Sequence, residues 1–169
     1  MREFVAACVQ IAVEPNQVQA NVEKGVTWLE RAVKDYEAEL VVFPETVTTS
    51  FVTGLTAAEL WDLVDEAPGR ITREIQAAAR SLGVHVVWPS YRRGPGRGIV
   101  YNSSILIGPD GEIIGIYDKT HPFPLERRDC GGWVTLGDRA DVFSTALGDI
   151  GMIICYDGDF PELSRLLAV

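Results

Sequence analysis

Cysteine, histidine and long apolar runs are scarce in this chain of 169 residues, which contains three cysteines and two histidines. An odd number of cysteines without the spacing of a disulfide framework is typical of a reducing compartment, so we expect a cytoplasmic protein. No cysteine and histidine cluster has the spacing of metal ligands, and no glycine-rich nucleotide loop follows a strand, so neither a metal site nor a cofactor is expected. No apolar stretch approaches the length of a membrane span, and the first residues lack the pattern of a secretory signal.

Positive charge is also in short supply. The 15 lysines and arginines are outnumbered by 24 aspartates and glutamates, which gives a formal net charge of −9 at pH 7. This balance argues against nucleic acid or an anionic membrane as a partner. Hydrophobic residues make up 47% of the chain, so we expect one folded domain over residues 1–169 rather than a disordered chain.

Strand-like and helix-like patterns alternate along the chain. The apolar patterns predict helices at residues 16–36, 56–63 and 71–82, and strands at residues 4–11, 40–43, 84–88, 99–107, 112–117, 142–145 and 150–154. Residues 99–107 and 112–117 flank a Gly-Pro-Asp-Gly turn and predict a β-hairpin. The order predicts an α/β protein whose mixed sheet has helices on one face.

Cys155 stands at the end of the apolar residues 151–154 and directly before a turn rich in aspartate and glycine. Pro161 then favours the start of a helix. A thiol close to a helix N-terminus has a lowered pKa and is suited to act as a nucleophile. The alternative is a small apolar filler at a strand end, and the local pattern alone leaves both open.

Two further strand ends carry ionisable residues. Glu45 follows a strand that Pro44 ends, because proline cannot donate to a sheet ladder. A carboxylate aimed beyond a strand end can serve as a general base, although a solvated glutamate is the simpler alternative. Lys119 follows the strand at 112–117 and is either a surface ammonium or a fixed positive charge for a developing oxyanion. A carboxylate, an ammonium and a thiol at three strand ends favour a catalytic site.

These strand ends resemble the catalytic segments of the nitrilase superfamily, the carbon–nitrogen hydrolases. The segments that carry the resemblance, in the family's order, are residues 43–45, 117–121 and 155–162, supported by residues 101–104 and 125–128. The resemblance runs from the first strand to the last residues. It implies the family's α-β-β-α sandwich, incomplete here because family members continue through a further C-terminal part.

The resemblance also implies a role for each residue. Glu45 is the general base, Lys119 stabilises the oxyanion, and Cys155 is the nucleophile. The supporting residues are Glu126 and Tyr156, whose backbone N–H is an oxyanion donor, and the residues expected to bind substrate are Tyr101, Asn102 and His121.

The implied reaction is the hydrolysis of an amide or N-carbamoyl compound to an acid plus ammonia or an amine, through a cysteine thioester. The residues Cys155-Tyr156-Asp157 resemble the amidase and carbamoyl-hydrolase branches more than true nitrilases, so nitrile hydrolysis is the alternative. The expected partners are a small-molecule substrate and either further copies of the chain or a missing C-terminal half. A truncated interaction module without activity is a second alternative, and a redox-sensing thiol paired with Cys130 is a third.

Overall fold

The structure is a computed structural model that describes residues 3–169. The strands of this part of the chain are β1 (Ala6–Cys8), β2 (Leu40–Val42), β3 (His85–Arg93), β4 (Val100–Ile107), β5 (Ile113–Asp118), β6 (Val142–Thr145) and β7 (Gly148–Gly151). Its α-helices are α1 (Val18–Tyr36), α2 (Ala57–Leu63), α3 (Arg70–Leu82) and α4 (Pro161–Leu167). None of these helices is long and apolar enough to cross a membrane.

The main sheet is mixed, in the order β1-β2-β3-β4-β5. β1, β2 and β3 run parallel, whereas β4 is antiparallel to both β3 and β5. β2, β3 and β5 therefore end at the same edge of the sheet, and β4 begins there. Side chains that follow β2 and β5 meet the first residues of β4 at this edge.

Each face of the main sheet is buried against different elements. Val41, Val86 and Trp88 point to the face covered by the apolar stripes of α1 and α3. Val87 and Leu106 point to the other face, where they pack with residues from β6, β7, α4 and the segment that links β7 to α4. The alternation of these side chains follows from the two-residue period of a strand.

The second, two-stranded sheet of β6 and β7 packs closely on β5. Gly115 makes this possible, because a Cβ at that position would lie only 2.1 Å from the ring of Phe143 on β6. Phe143 thus sits directly against the backbone of β5. This contact fixes the strand that leads to Lys119 relative to the strands that lead to Cys155.

Most of the predicted elements are confirmed. The hairpin β4–β5 lies where expected, and Thr56 and Glu59 form the capping box that begins α2. The strand predicted at residues 150–154 is wrong, because β7 ends at Gly151. The four residues of β7 pair with the four residues of β6. The apolar residues after Gly151 have no strand partner of this kind and form irregular chain. α4 also contradicts the expectation that the helices share one face.

Candidate active site

The edge at which β2 and β5 end brings three of the predicted residues together. Glu45 follows β2, and Lys119 directly follows β5. Lys119 Nζ donates hydrogen bonds to Oε1 of Glu45 at 2.8 Å and to Oε1 of Glu126 at 2.5 Å. Glu126 comes from the loop that follows β5, so one lysine bridges two carboxylates from separate segments.

This cluster is largely removed from water. The side chains of Lys119 and Glu126 are 0% exposed, and that of Glu45 is 22% exposed. Lys119 also lies 5.7 Å from the ring centroid of Phe51. The surface-ammonium alternative for Lys119 is therefore wrong.

Lys119 keeps its proton in this setting. Burial is the largest single influence and alone would lower the pKa of Lys119, since it disfavours the charged form. Hydrogen bonds from Nζ to Glu126 and Glu45, together with their charges, outweigh burial, so the pKa of Lys119 is raised. The lysine is a fixed cation, which suits it to stabilising negative charge rather than accepting a proton.

Cys155 occupies a sharp corner of the backbone. Its φ of +48° lies in the left-handed region, which residues other than glycine seldom adopt. The residues Cys155–Asp159 form a 3-10 turn, and α4 begins only at Pro161. The turn expected after Cys155 and the helix expected to start at Pro161 are confirmed, and the turn separates the thiol from the first residue of the helix.

The pKa of the Cys155 thiol is raised, which contradicts the expectation from sequence. Burial raises it most, the charge of Glu45 raises it further, and a hydrogen bond from the thiol to Glu45 adds to the effect. The charge of Lys119 and the backbone N–H of Tyr156, which donates to the sulfur, act in the opposite direction. The thiol thus rests protonated in contact with Glu45, and a base is needed to remove its proton.

Asp157 holds the Cys155 turn against the loop that follows β5. Its side chain is fully buried and accepts hydrogen bonds from the Tyr117 hydroxyl at 2.8 Å and from the backbone N–H groups of Ile154 and His121, each at 2.9 Å. The sequence pattern indicates only a turn at Asp157 and does not predict these contacts. The available signal is its place two residues after Cys155, but the partner Tyr117 comes from β5, a distant strand.

Left-handed backbone occurs next to Glu45 as well as at Cys155. Thr46, which follows Glu45, has a φ of +53°, an outlier for a β-branched residue. Its neighbour Glu45 is one of the groups that raise the pKa of Cys155. Residues in such conformations persist only where surrounding contacts hold them, and they cluster at functional sites.

Tyr101 and Asn102, both expected to bind substrate, are neighbours on β4 with different surroundings. Tyr101 lies on the opposite face of β4 from Asn102, and its ring lies under the guanidinium of Arg92, 4.9 Å from the centroid. Asn102 is fully buried, and its Nδ2 donates to Oε1 of Glu45 at 2.7 Å and to Oε2 of Glu126 at 3.1 Å. Asn102 therefore belongs to the carboxylate cluster.

His121 and Tyr156 border the Cys155 turn. The His121 ring is stacked on Phe160 with centroids 4.0 Å apart, and its Nδ1 lies 3.2 Å from Oδ1 of Asp157. The Tyr156 ring contacts Phe160 edge-on at 5.3 Å. The His121 side chain is 37% exposed, so this aromatic wall is open on one side.

The three cysteines do not form a disulfide. Cys8, Cys130 and Cys155 are all free and exposed thiols. Over residues 3–169, no group of three or more histidine, cysteine, aspartate or glutamate side chains is arranged to hold a metal ion.

Residues 5–169 match the sequence profile of the carbon-nitrogen hydrolase family. The chain is 29% identical over 164 residues to a probable nitrilase of Schizosaccharomyces pombe, covering 96% of this chain and 58% of that protein. It is 34% identical over 163 residues to an (R)-stereoselective amidase of a Pseudomonas species, covering 95% of this chain and 54% of that protein.

A solved structure shares the fold. Nit3 of Saccharomyces cerevisiae, a member of branch 10 of the nitrilase superfamily, superposes with a TM-score of 0.82 at 26% sequence identity. The superposition covers 96% of this chain and 59% of Nit3. The nitrilase-like fold expected from the resemblance is confirmed, and the chain spans little more than half the length of these relatives.

Proposed function

The chain belongs to the carbon-nitrogen hydrolase family, and on this premise we propose that it hydrolyses the carbon–nitrogen bond of a small amide or N-carbamoyl compound through a thioester on Cys155. Glu45, Lys119 and Cys155 form the proposed catalytic triad. Glu126 and the backbone N–H of Tyr156 support it.

One observation carries the proposal: a protonated lysine is buried between two carboxylates, and one of these carboxylates, Glu45, is close enough to an exposed thiol to raise its pKa. A buried ion cluster costs desolvation energy and is weak evidence of stabilisation. Its contact with a thiol at a strained corner is the geometry of a nucleophile beside its base.

The first half of the proposed reaction forms the thioester. Glu45 takes the proton of Cys155 while the sulfur attacks the carbonyl carbon, so the S–H bond breaks and an S–C bond forms. Lys119 and the backbone N–H of Tyr156 stabilise the negative charge that develops on the carbonyl oxygen. The carbon–nitrogen bond then breaks, and ammonia or an amine leaves with the proton held by Glu45.

The second half releases the acid. Glu45, now ionised again, takes a proton from water, and the resulting hydroxide attacks the thioester carbon. The S–C bond breaks, and the proton returns from Glu45 to the Cys155 sulfur. Passing through the thioester divides one difficult attack of water on an amide into two easier steps.

A nitrile is the alternative substrate, because one of the relatives described above is a probable nitrilase. The amide is favoured because Tyr156 and Asp157 follow the nucleophile, as in the amidase and carbamoyl-hydrolase branches that the sequence resembles. The two substrates are told apart directly in the experiment below.

We further propose that the working enzyme covers the face around Cys155. The thiol is exposed, and so are Ile153 just before it and Leu166 on α4, at 41% and 59%. Exclusion of water strengthens electrostatic stabilisation in an active site. The cover would come either from further copies of this chain or from polypeptide that corresponds to the rest of the relatives' length.

The test is release of ammonia or amine from a panel of simple amides, N-carbamoyl amino acids and nitriles. We expect release from an amide or carbamoyl compound, loss of release in Cys155→Ala, and unchanged release in Cys130→Ala, which removes another exposed thiol. Release from nitriles alone would show that the substrate is a nitrile and not an amide. Release that survives in Cys155→Ala would overturn the proposed mechanism.

A further inference from the structure

Asn102 lies at the centre of the buried cluster but is not one of the charged residues. It stands near the start of β4, at the edge where β2 and β5 end. Its backbone carbonyl accepts a hydrogen bond from the backbone N–H of Lys119 at 2.8 Å. Its side-chain Nδ2 donates to both carboxylates that flank this lysine. A single residue therefore positions all three members of the ion cluster.

The contact with Glu45 distinguishes the two carboxylate oxygens. Oε1 of Glu45 accepts from Lys119 Nζ at 2.8 Å and from Asn102 Nδ2 at 2.7 Å. A carboxylate oxygen has two lone-pair sites, so these two donors occupy Oε1. Oε2 is then the oxygen left to receive the proton of Cys155.

The orientation of the Asn102 amide is fixed by charge. Nδ2 faces two carboxylates, and a flipped amide would point its carbonyl oxygen at both of them instead. In the orientation observed, Oδ1 is buried and has no hydrogen-bond partner among residues 3–169. A buried polar oxygen without a partner is unfavourable, so the contacts on the other side of the amide must outweigh its cost.

We propose that Asn102 is a positioning residue that holds Glu45 with Oε2 directed at the Cys155 thiol. This inference rests on the proposed function and adds a residue to it. In the proton transfer, the S–H bond breaks, the proton goes to Oε2 of Glu45, and the electron pair remains on sulfur. Asn102 does not touch the reacting atoms but acts through Glu45, in contrast to the substrate-binding role expected from the sequence.

Two substitutions test the proposal. Asn102→Asp keeps the shape but replaces the donor by an oxygen that repels both carboxylates. Asn102→Ser is the milder change, because a hydroxyl has one proton and can keep only one of the two bonds. The matched control is Gln76→Glu on α3, which makes the same amide-to-carboxylate change. The Gln76 amide also donates a hydrogen bond, to the carbonyl of Gly111 at 2.7 Å, and has an unpartnered oxygen, but it lies at the other end of β5.

The first readout is the rate of Cys155 alkylation by iodoacetamide as a function of pH, which requires no substrate. Asn102→Ser is the deciding variant. If Asn102 holds Oε2 of Glu45 at the thiol, Asn102→Ser weakens that contact and lowers the midpoint of the profile, because Glu45 raises the pKa of Cys155. A fall of about half a pH unit means about threefold faster alkylation near neutral pH, since each pKa unit changes the thiolate fraction tenfold. Asn102→Asp adds a negative charge that raises the midpoint in either case, and Gln76→Glu should match the unsubstituted chain.

The second readout is the split between kcat and KM for amide hydrolysis. A positioning role lowers kcat by about tenfold or more with little change in KM, because it acts on proton transfer. A substrate-binding role raises KM instead. An alkylation profile that is unchanged or shifted upward in folded Asn102→Ser, or an equal downward shift in Gln76→Glu, would overturn the proposal. If the unsubstituted chain hydrolyses nothing, the proposed function fails, but the alkylation profile still decides the role of Asn102.

Discussion

Replacing Lys119 by methionine should destabilise the fold strongly. Methionine fills a similar space but leaves Glu126 buried without a counter-charge, and both side chains of that pair are 0% exposed. Removing one partner of a buried ion pair costs about 3–5 kcal/mol, because the other charge stays uncompensated. For a domain of this size, such a loss lowers Tm by about 6–20 °C.

The control uses an ion pair with the same separation in a different environment. Lys34 Nζ lies 2.8 Å from Glu30, but these side chains are 63% and 46% exposed. Lys34→Met should therefore cost no more than about 0.5 kcal/mol, since exposed pairs of this kind contribute little. The N–O distance of 2.8 Å is the same in the Lys34–Glu30 and Lys119–Glu45 pairs, so the difference in the free energy of unfolding between the two variants reflects burial.

The assay is thermal and urea unfolding of both variants, with Lys119→Met/Glu126→Gln as a third. Neutralising the stranded carboxylate should recover part of the stability lost in Lys119→Met. If Lys119→Met were no more destabilising than Lys34→Met, the ion cluster would not be buried as described. A double variant no more stable than Lys119→Met would show that the stranded charge is not the cause.

Three further predictions concern the same site. Glu45→Gln should lower the pKa of Cys155 and speed its alkylation near neutral pH, because Glu45 raises that pKa. The same substitution should slow hydrolysis by at least about 100-fold, because the base is lost. Slower alkylation would contradict this prediction. Asp157→Asn should lower the free energy of unfolding in urea by about 1–3 kcal/mol, because Oδ2 of Asp157 accepts from the Ile154 N–H and the Tyr117 hydroxyl while Oδ1 accepts from the His121 N–H, and an amide has only one oxygen for these donors; an unchanged urea midpoint would count against it. Burial raises the pKa of Tyr117 above its ordinary 10.0. Above about pH 10 the folded state therefore keeps a proton that the unfolded state releases, and the free energy of unfolding should fall as the pH rises. Tyr117→Phe should show a smaller fall when unfolding is measured across that range.

The strand ends were predictable from sequence because they depend on local rules. Proline stops sheet pairing, and a run of apolar residues that meets an ionisable residue indicates a strand end. Glu45 and Lys119 were located in this way, and the structure brings them into contact. The hairpin β4–β5 was equally local, because its turn residues demand it.

The roles of Asn102 and Asp157 were not predictable, because their partners are distant in sequence. Asn102 contacts Glu45 across 57 positions, and Asp157 contacts Tyr117 across 40. The predicted direction of the pKa shift of Cys155 is wrong for the same reason. The expectation used the nearby helix start, whereas burial and the charge of Glu45, 110 positions earlier, determine the direction.

The left-handed backbone at Cys155 has a consequence for how this sequence changes over time. Glycine adopts this conformation freely, whereas a residue with a Cβ is disfavoured there by roughly 1–2 kcal/mol. On stability alone, position 155 would favour glycine. A lineage that no longer needed the thiol would gain by losing it. The proposed chemistry of the thiol would offset this cost, and sequences of the same fold with glycine at this position are where loss of that activity should be sought first.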